Sequence, residues 1–189
     1  MFAISATAAA ADNTYKRMLN AVAKIVEEYG TEKLQYGIII YGRNAVVRRK
    51  LGDSFPNDKA LKLFIRDSPR ETGGSALDKA LQQAEVLFYP ISGVRTEAEK
   101  VLVVITDNKS TGSSSVARET ATDLREEGVR IIAVLICNQA DPMDGGIANV
   151  RDDVIKERKD QRSSVIANKI MDRVKGEFYY LEQVYVSYK

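Results

Sequence analysis

Two loop sequences carry the polar groups with which this chain could bind a ligand. One is Thr72-Gly73-Gly74-Ser75, which precedes an amphipathic helix pattern. The other begins at Asp107, directly after an apolar run at residues 101–106. Hydroxyl, carboxylate and free backbone groups at strand ends are what ligand sites in open α/β sheets are made of. We therefore expect the two loops to meet at one edge of a sheet.

Alternating helix and strand patterns predict the sheet that would position these loops. Apolar runs at residues 2–4, 37–41, 101–106 and 129–136 are typical of buried parallel strands, because helices cover both faces of such sheets. The turn at residues 42–44 predicts a hairpin with an antiparallel edge strand. The alternation favours an α/β fold with a doubly wound, mostly parallel sheet, one antiparallel edge strand and helices on both faces.

The last part of the chain has a weaker pattern. Residues 151–162 are densely charged with mixed signs, which indicates a solvated helix or an insertion. A helical stripe follows and is expected to end at Gly176, and residues 178–181 are expected to form a last strand. Because neither a repeat nor a linker is visible, we predict one domain over residues 1–189, with its core at residues 2–181 and a short tail.

Composition excludes several kinds of chemistry. The chain has no histidine and one cysteine, which removes His-based triads, most zinc sites and any internal disulfide. A formal net charge of +2 gives no electrostatic reason to expect nucleic-acid or membrane-surface binding, and no apolar run is long enough to span a bilayer. Phosphate-binding glycine motifs are absent. We therefore expect neither a nucleotide enzyme nor a membrane span.

The order of elements and the loops at Thr72 and Asp107 resemble the von Willebrand factor type A domain. Members of that family hold a divalent cation at a metal-ion-dependent adhesion site. An Asp-x-Ser-x-Ser loop follows their first strand, a threonine precedes a glycine-containing helix start, and an aspartate follows the fourth strand. Thr72 matches the second of these features and Asp107 the third.

The first loop departs from the family pattern. Ser5 stands at the aspartate position, Thr7 replaces the first serine, and Ala9 replaces the second with no hydroxyl at all. Hard cations favour carboxylates, and loss of a supporting partner alone costs about 10–100-fold in metal affinity. We therefore expect a degenerate site of Ser5, Thr7, Thr72 and Asp107 that binds Mg²⁺ or Ca²⁺ weakly or not at all. A structural alternative makes Thr72 a helix cap and Asp107 an acceptor of backbone N–H groups.

The resemblance implies a non-enzymatic protein-binding module of adhesion or extracellular-matrix type, located outside the cell. Its partner would be a protein ligand, for example a matrix protein, and we make no prediction of oligomeric state. The rim that faces this ligand would include Gly73, Gly74, Ser75, Asn108 and Ser110. Asn108-Lys109-Ser110 is also an N-glycosylation sequon, whose glycan would obstruct that rim.

Two other functions stay open. One is an intracellular assembly or scaffold subunit of the same fold. The other is a hydrolase-like enzyme that uses Asp107 or Cys137. The absence of histidine counts against this enzyme, since no imidazole could activate the thiol, and a free cysteine is more often a small buried hydrophobe.

Overall fold

A single mixed sheet organises the chain. The structure is a computed structural model that describes residues 1–7, 12–71, 73–107, 114–136, 147–148 and 153–186, without the side chains of 12, 114 and 177–186. The six strands of the sheet, in order along the chain, are β1 (Phe2–Ser5), β2 (Ile38–Tyr41), β3 (Ala45–Arg49), β4 (Lys100–Thr106), β5 (Val129–Ile136) and β6 (Val154–Glu157). Their order across the sheet is β3-β2-β1-β4-β5-β6. All neighbours are parallel except β2 and β3, which confirms the predicted antiparallel edge.

Helices cover both faces of this sheet. They are α1 (Asp12–Lys33), α2 (Asp58–Arg66), α3 (Leu77–Phe88), α4 (Ser114–Glu126) and α5 (Ser163–Val186). Side chains alternate along each strand, so that Ile38 and Ile40 pack with α1, α2 and α5 while Ile39 packs with α3 and α4. The predicted α/β fold is therefore confirmed. Among the described residues, no helix combines the length and apolar character needed to cross a membrane.

Local signals set several helix ends. Helix α1 is interrupted at Gly30, whose φ of 69° favours glycine. The backbone N–H and hydroxyl of Thr31 then donate to Asp58 Oδ1, at 3.0 Å and 2.7 Å. Asn57 caps α2, because its Oδ1 accepts a hydrogen bond from the Ala60 N–H at 2.9 Å.

The expected strand at residues 178–181 is wrong, and so is the expected helix end at Gly176. Helix α5 runs through both, from Ser163 to Val186. A glycine inside a helix costs about 1 kcal/mol relative to alanine. That cost is too small to end a helix whose first turns are anchored by the buried side chains of Ile166 and Ile170. The aromatic and β-branched residues near the end suggested a strand, but the cooperativity of an established helix outweighs this preference.

The expected solvated helix or insertion at residues 151–162 is also wrong, because strand β6 lies within it. Asp153 and Glu157 are buried, at 1% and 7% exposure. Asp153 forms a two-pronged ion pair with Arg130, with Nη2 to Oδ1 at 2.6 Å and Nε to Oδ2 at 3.1 Å. Glu157 forms an ion pair with Lys169 on α5. Pairing of this kind is what allows charged residues to be buried in a folded protein.

Candidate functional site

Two strand ends bring Ser5, Thr7 and Asp107 together. Strands β1 and β4 are parallel neighbours, with Ile4 opposite Ile105, so their carboxyl ends lie at the same edge of the sheet. The Ser5 hydroxyl donates to Asp107 Oδ1 at 3.2 Å, and the Thr7 hydroxyl donates to Oδ2 at 2.6 Å. All three residues are at most 2% exposed. The first and third loops predicted from the sequence therefore form one buried hydrogen-bonded cluster.

Asp107 is held by side-chain hydroxyls. Each of its carboxylate oxygens accepts a hydroxyl from the β1 end, and the backbone N–H groups of its own loop, named in the structural alternative, lie outside the described residues. The Thr7 bond is short enough for a charge-assisted O–H···O⁻ interaction. Asp107 thus ties the β1 end to the β4 end.

The second loop packs against the turn between β2 and β3. The Ala76 N–H donates to the Gly42 carbonyl at 2.7 Å. A Cβ on Gly42 would lie 2.0 Å from the Glu71 carbonyl oxygen, so only glycine fits this approach. Tyr41 stands opposite Ser5 in the β1–β2 register, which places the turn at the same sheet edge as Asp107.

Helix α3 begins without a side-chain cap. Its N-cap position is held by Ala76, and Ser75 directly before it is buried. Thr72 lies outside the described residues, but it is four positions away from the N-cap. The alternative in which Thr72 serves as the N-cap residue of α3 is therefore wrong.

Arg70 links the second loop to the first. Its Nη2 donates to the Thr7 carbonyl oxygen. The neighbouring segment is held to α1 by the Tyr15 hydroxyl, which donates to the carbonyl oxygens of Ser68 at 3.2 Å and Pro69 at 3.1 Å. Burial raises the pKa of Tyr15 to about 12, so this hydroxyl stays protonated at neutral pH. The guanidinium of Arg70 is therefore fixed beside the Ser5–Thr7–Asp107 cluster.

Arg43 is a second cation at this edge. It is exposed, and a Cβ on Gly73 would lie 2.9 Å from its Cβ and 3.2 Å from its Nε. Gly73 has a φ of 124°, which other residues rarely adopt, so the glycine both makes this turn and leaves room for the arginine stem. Over the described ranges, Arg43 forms no hydrogen bond or ion pair. The sequence analysis missed both arginines, although a cation in the turn after β2 was a visible signal.

Comparison with known proteins identifies the family. The model of the von Willebrand factor type A domain matches residues 1–168. The chain belongs to this family. A stretch of 126 residues, 64% of this chain, is 30% identical to the collagen alpha-5(VI) chain of Mus musculus. This match spans only 5% of the mouse collagen chain. The collagen alpha-5(VI) chain of Homo sapiens is likewise 30% identical over 122 residues, which are 5% of its length.

Solved structures of low sequence identity share the fold. Proximal thread matrix protein 1 from the mussel byssus has a TM-score of 0.77 at 20% identity, over 90% of this chain and 46% of that one. The manganese-loaded TRAP protein of Plasmodium vivax has a TM-score of 0.72 at 15% identity, over 89% of this chain and 71% of that one. The von Willebrand factor type A fold predicted from the loops is therefore shown.

The groups around Asp107 are poorly suited to bind a hard divalent cation of the kind that type A domains hold. Asp107 supplies a carboxylate whose two oxygens already accept hydroxyl hydrogens, and the Ser5 and Thr7 hydroxyls donate to it. The Arg70 guanidinium stands beside them and would repel a cation. Within the described ranges, no three His, Cys, Asp or Glu side chains are grouped so that they could hold a metal ion.

Some predicted site residues have no structural description. Thr72, Asn108 and Ser110 lie outside the described residues, as do Ala9 and Cys137. The ligand-facing roles of Gly73, Gly74 and Ser75 and the metal-ligating roles of Ser5, Thr7, Thr72 and Asp107 therefore stay predictions.

Proposed function

We propose that this chain is a non-enzymatic protein-binding module of adhesion or extracellular-matrix type that acts outside the cell. The observation that carries the proposal is the meeting of Ser5, Thr7 and Asp107 at the sheet edge where the turn after β2 packs on the second loop. Similarity to a collagen chain and to a byssus matrix protein supports the matrix setting. The partner would bind across this edge, which we call the loop edge: residues 5–7, 42–44, 70–71, 73–75 and Asp107.

The geometry of the loop edge favours binding over catalysis. Asp107, the carboxylate considered for a hydrolase, is 2% exposed and engaged at both oxygens. A general base must reach the proton that it removes within hydrogen-bond distance, and a buried carboxylate held by two hydroxyls offers no such approach. This supports a binding module over an enzyme.

Binding to a matrix partner can be tested by surface plasmon resonance with purified collagens and other matrix proteins, and with a cytosolic protein as the negative surface. We expect saturable binding to at least one matrix protein. The variant Asn44→Trp places a bulky ring on an exposed position of the loop edge. It should weaken binding at least tenfold, about 1.4 kcal/mol.

The matched control is Glu126→Trp, which adds the same ring to an exposed residue at the carboxyl end of α4. It should leave binding unchanged. If no matrix protein binds, or if both tryptophan variants bind like the parent chain, the proposed function at this edge is wrong.

We propose that divalent-metal binding is weak or absent, because Ser5 replaces the aspartate of the first loop and Ala9 replaces its second serine. Asp107 is then the one carboxylate left in the motif. Calorimetric titration with Mg²⁺, Ca²⁺ or Mn²⁺ should detect no site with a dissociation constant of about 1 mM or tighter. Ser5→Asp combined with Ala9→Ser should create or strengthen a site. Ser5→Asn with Ala9→Ser is the uncharged control. A tight site in the parent chain would refute this prediction.

A further inference from the structure

We propose that the chain self-associates as a two-fold dimer through the edge of the sheet opposite the loop edge, where an apolar projection of each copy enters an apolar cavity of the other. This surface is separate from the loop edge, so the inference does not depend on the proposed function. The projection, which we call the knob, consists of Val86, Tyr89, Pro90 and Ile91. The cavity, which we call the socket, lies beside it at the amino ends of the parallel strands.

The knob collects exposed apolar side chains at the end of α3. Four large apolar residues of the described ranges are exposed, and three of them, Val86, Tyr89 and Ile91, lie within six positions of one another. Ile91 is 95% exposed. Single apolar residues at a surface are ordinary, whereas neighbouring ones indicate an interaction site.

Hydrogen bonds hold the knob in one conformation. Pro90–Ser92 form a single 3₁₀ turn, which the Gly93 N–H closes by donating to the Pro90 carbonyl at 3.0 Å. The turn is also tied to the segment after β3, because the Gly52 N–H donates to the Ser92 carbonyl at 3.1 Å. A surface that is already ordered loses little conformational entropy on binding. The knob is therefore prepared for a partner.

The socket is a cavity of about 440 Å³ at the same edge. Its volume is in the range of cavities that hold a drug-sized ligand, so a branched side chain such as that of Ile91 fits inside. Its apolar wall includes Phe2, Leu51, Phe88, Val94, Val101 and Met171. Removal of apolar surface from water would therefore drive the knob into the socket.

Knob and socket are neighbours on one surface, which favours a closed dimer. Phe88 and Val94 line the socket and flank the knob in sequence. In a two-fold dimer the same patch meets itself, so each knob reaches the socket of the other copy at the same time. A second copy of this chain thus supplies both the projection and the cavity that this surface can match.

The charges around the knob and the socket are complementary. The Tyr89 hydroxyl donates to Glu127 Oε1 at 3.2 Å, and the charges of Glu127 and Glu85 raise the pKa of that hydroxyl. Acids therefore stand beside the knob. The socket is lined by three cations and two acids, namely Lys33, Arg95, Lys100, Glu97 and Glu99. An acidic flank that meets this more basic rim on the other copy favours the proposed pairing.

The dimer would leave both loop edges accessible. They lie at the carboxyl ends of β1 and β4, whereas the socket lies at the amino ends of the same strands. Self-association and binding of a partner at the loop edge can therefore occur together.

Sedimentation equilibrium of the full chain tests the association. We expect a reversible monomer–dimer equilibrium with a dissociation constant of about 10 µM to 1 mM, because an interface of so few residues is small. Ile91→Asp should raise this constant about tenfold or more. Because Ile91 is 95% exposed, the variant should fold like the parent chain, which circular dichroism checks.

The matched control is Leu63→Asp, which adds the same charge to a 50% exposed apolar residue on α2 and should leave the equilibrium unchanged. Ala98→Trp tests the socket, because Ala98 is exposed and lines the cavity. Its ring should block the cavity and weaken the dimer as Ile91→Asp does. In ¹⁵N NMR spectra of increasing protein concentration, the amide signals of Val94 and Val101 should move together with that of Ile91.

Any of four results would overturn the proposal. They are a chain that stays monomeric at about 1 mM, a dimer that Ile91→Asp or Ala98→Trp leaves unchanged, constant signals of the socket residues, and growth beyond the dimer. The part of α5 beyond Gly176 is a competing surface, which Leu181→Asp tests. If Leu181→Asp dissociates the dimer and Ile91→Asp does not, the copies associate through α5 and the proposal is wrong. The proposed function is judged separately, since Asn44→Trp should weaken matrix binding and leave the dimer intact.

Discussion

Replacement of Asp107 by alanine is expected to lower the free energy of unfolding by about 2–5 kcal/mol. It leaves the Ser5 and Thr7 hydroxyls buried without the carboxylate that accepts their hydrogens. A buried polar group that loses its partner costs roughly 1–3 kcal/mol, and more when that partner was charged. Urea-induced unfolding, followed by circular dichroism, measures the change.

The individual bonds should contribute unequally. The Thr7 hydroxyl lies 2.6 Å from Asp107 Oδ2 and the Ser5 hydroxyl lies 3.2 Å from Oδ1. In double-mutant cycles with Asp107→Ala, we therefore expect a larger coupling energy for Thr7→Val than for Ser5→Ala. Asp107→Asn keeps the shape and should destabilise less, because a hydroxyl can turn to accept from the amide. A loss below about 1 kcal/mol for Asp107→Ala would contradict the role of this cluster.

The sequence predicts the central sheet because burial imposes a simple pattern. Strands β1, β2, β4 and β5 are covered on both faces, so they appear as continuous apolar runs. Parallel strands also place their carboxyl ends at one edge. The resemblance to the type A domain implies that Ser5 and Asp107, about a hundred residues apart, share one site, and the parallel pairing of β1 with β4 brings them within hydrogen-bond distance.

The errors arise where tertiary contacts override local signals. Strand β6 was hidden because Asp153 and Glu157 look solvent-exposed in sequence, whereas ion-pair partners on β5 and α5 allow their burial. Helix α5 continues past Gly176, because one glycine is too weak a signal to stop a helix whose preceding turns are packed on the core. Sequence spacing does not assign the arginines of the loop edge to the site, because the hydrogen bond from Arg70 to Thr7 joins residues that become neighbours only in the folded protein.

Replacement of Arg130 by methionine is expected to destabilise the protein by about 3–5 kcal/mol. Arg130 extends from β5 to Asp153, whose side chain is only 2% exposed, and the two form a bidentate pair. Methionine keeps much of the stem volume but leaves the Asp153 carboxylate buried without its counter-charge. The loss should appear in urea unfolding as a lower midpoint with an unchanged slope, as expected when stability alone changes.

The double variant Arg130→Met with Asp153→Leu distinguishes two contributions to the free energy of unfolding. One is the penalty for leaving the Asp153 charge buried alone, and the other is the net stabilisation that the intact ion pair provides. Buried ion pairs can often be replaced by apolar residues with little loss, because both desolvation penalties disappear together. We therefore expect the double variant to recover most of the stability that Arg130→Met loses. Lys169→Met on α5 is a comparison at the second pair, where Lys169 is half-exposed, so its effect should be smaller. If the double variant is no more stable than Arg130→Met, the stability depends on the arginine contacts themselves and not on neutralisation of Asp153.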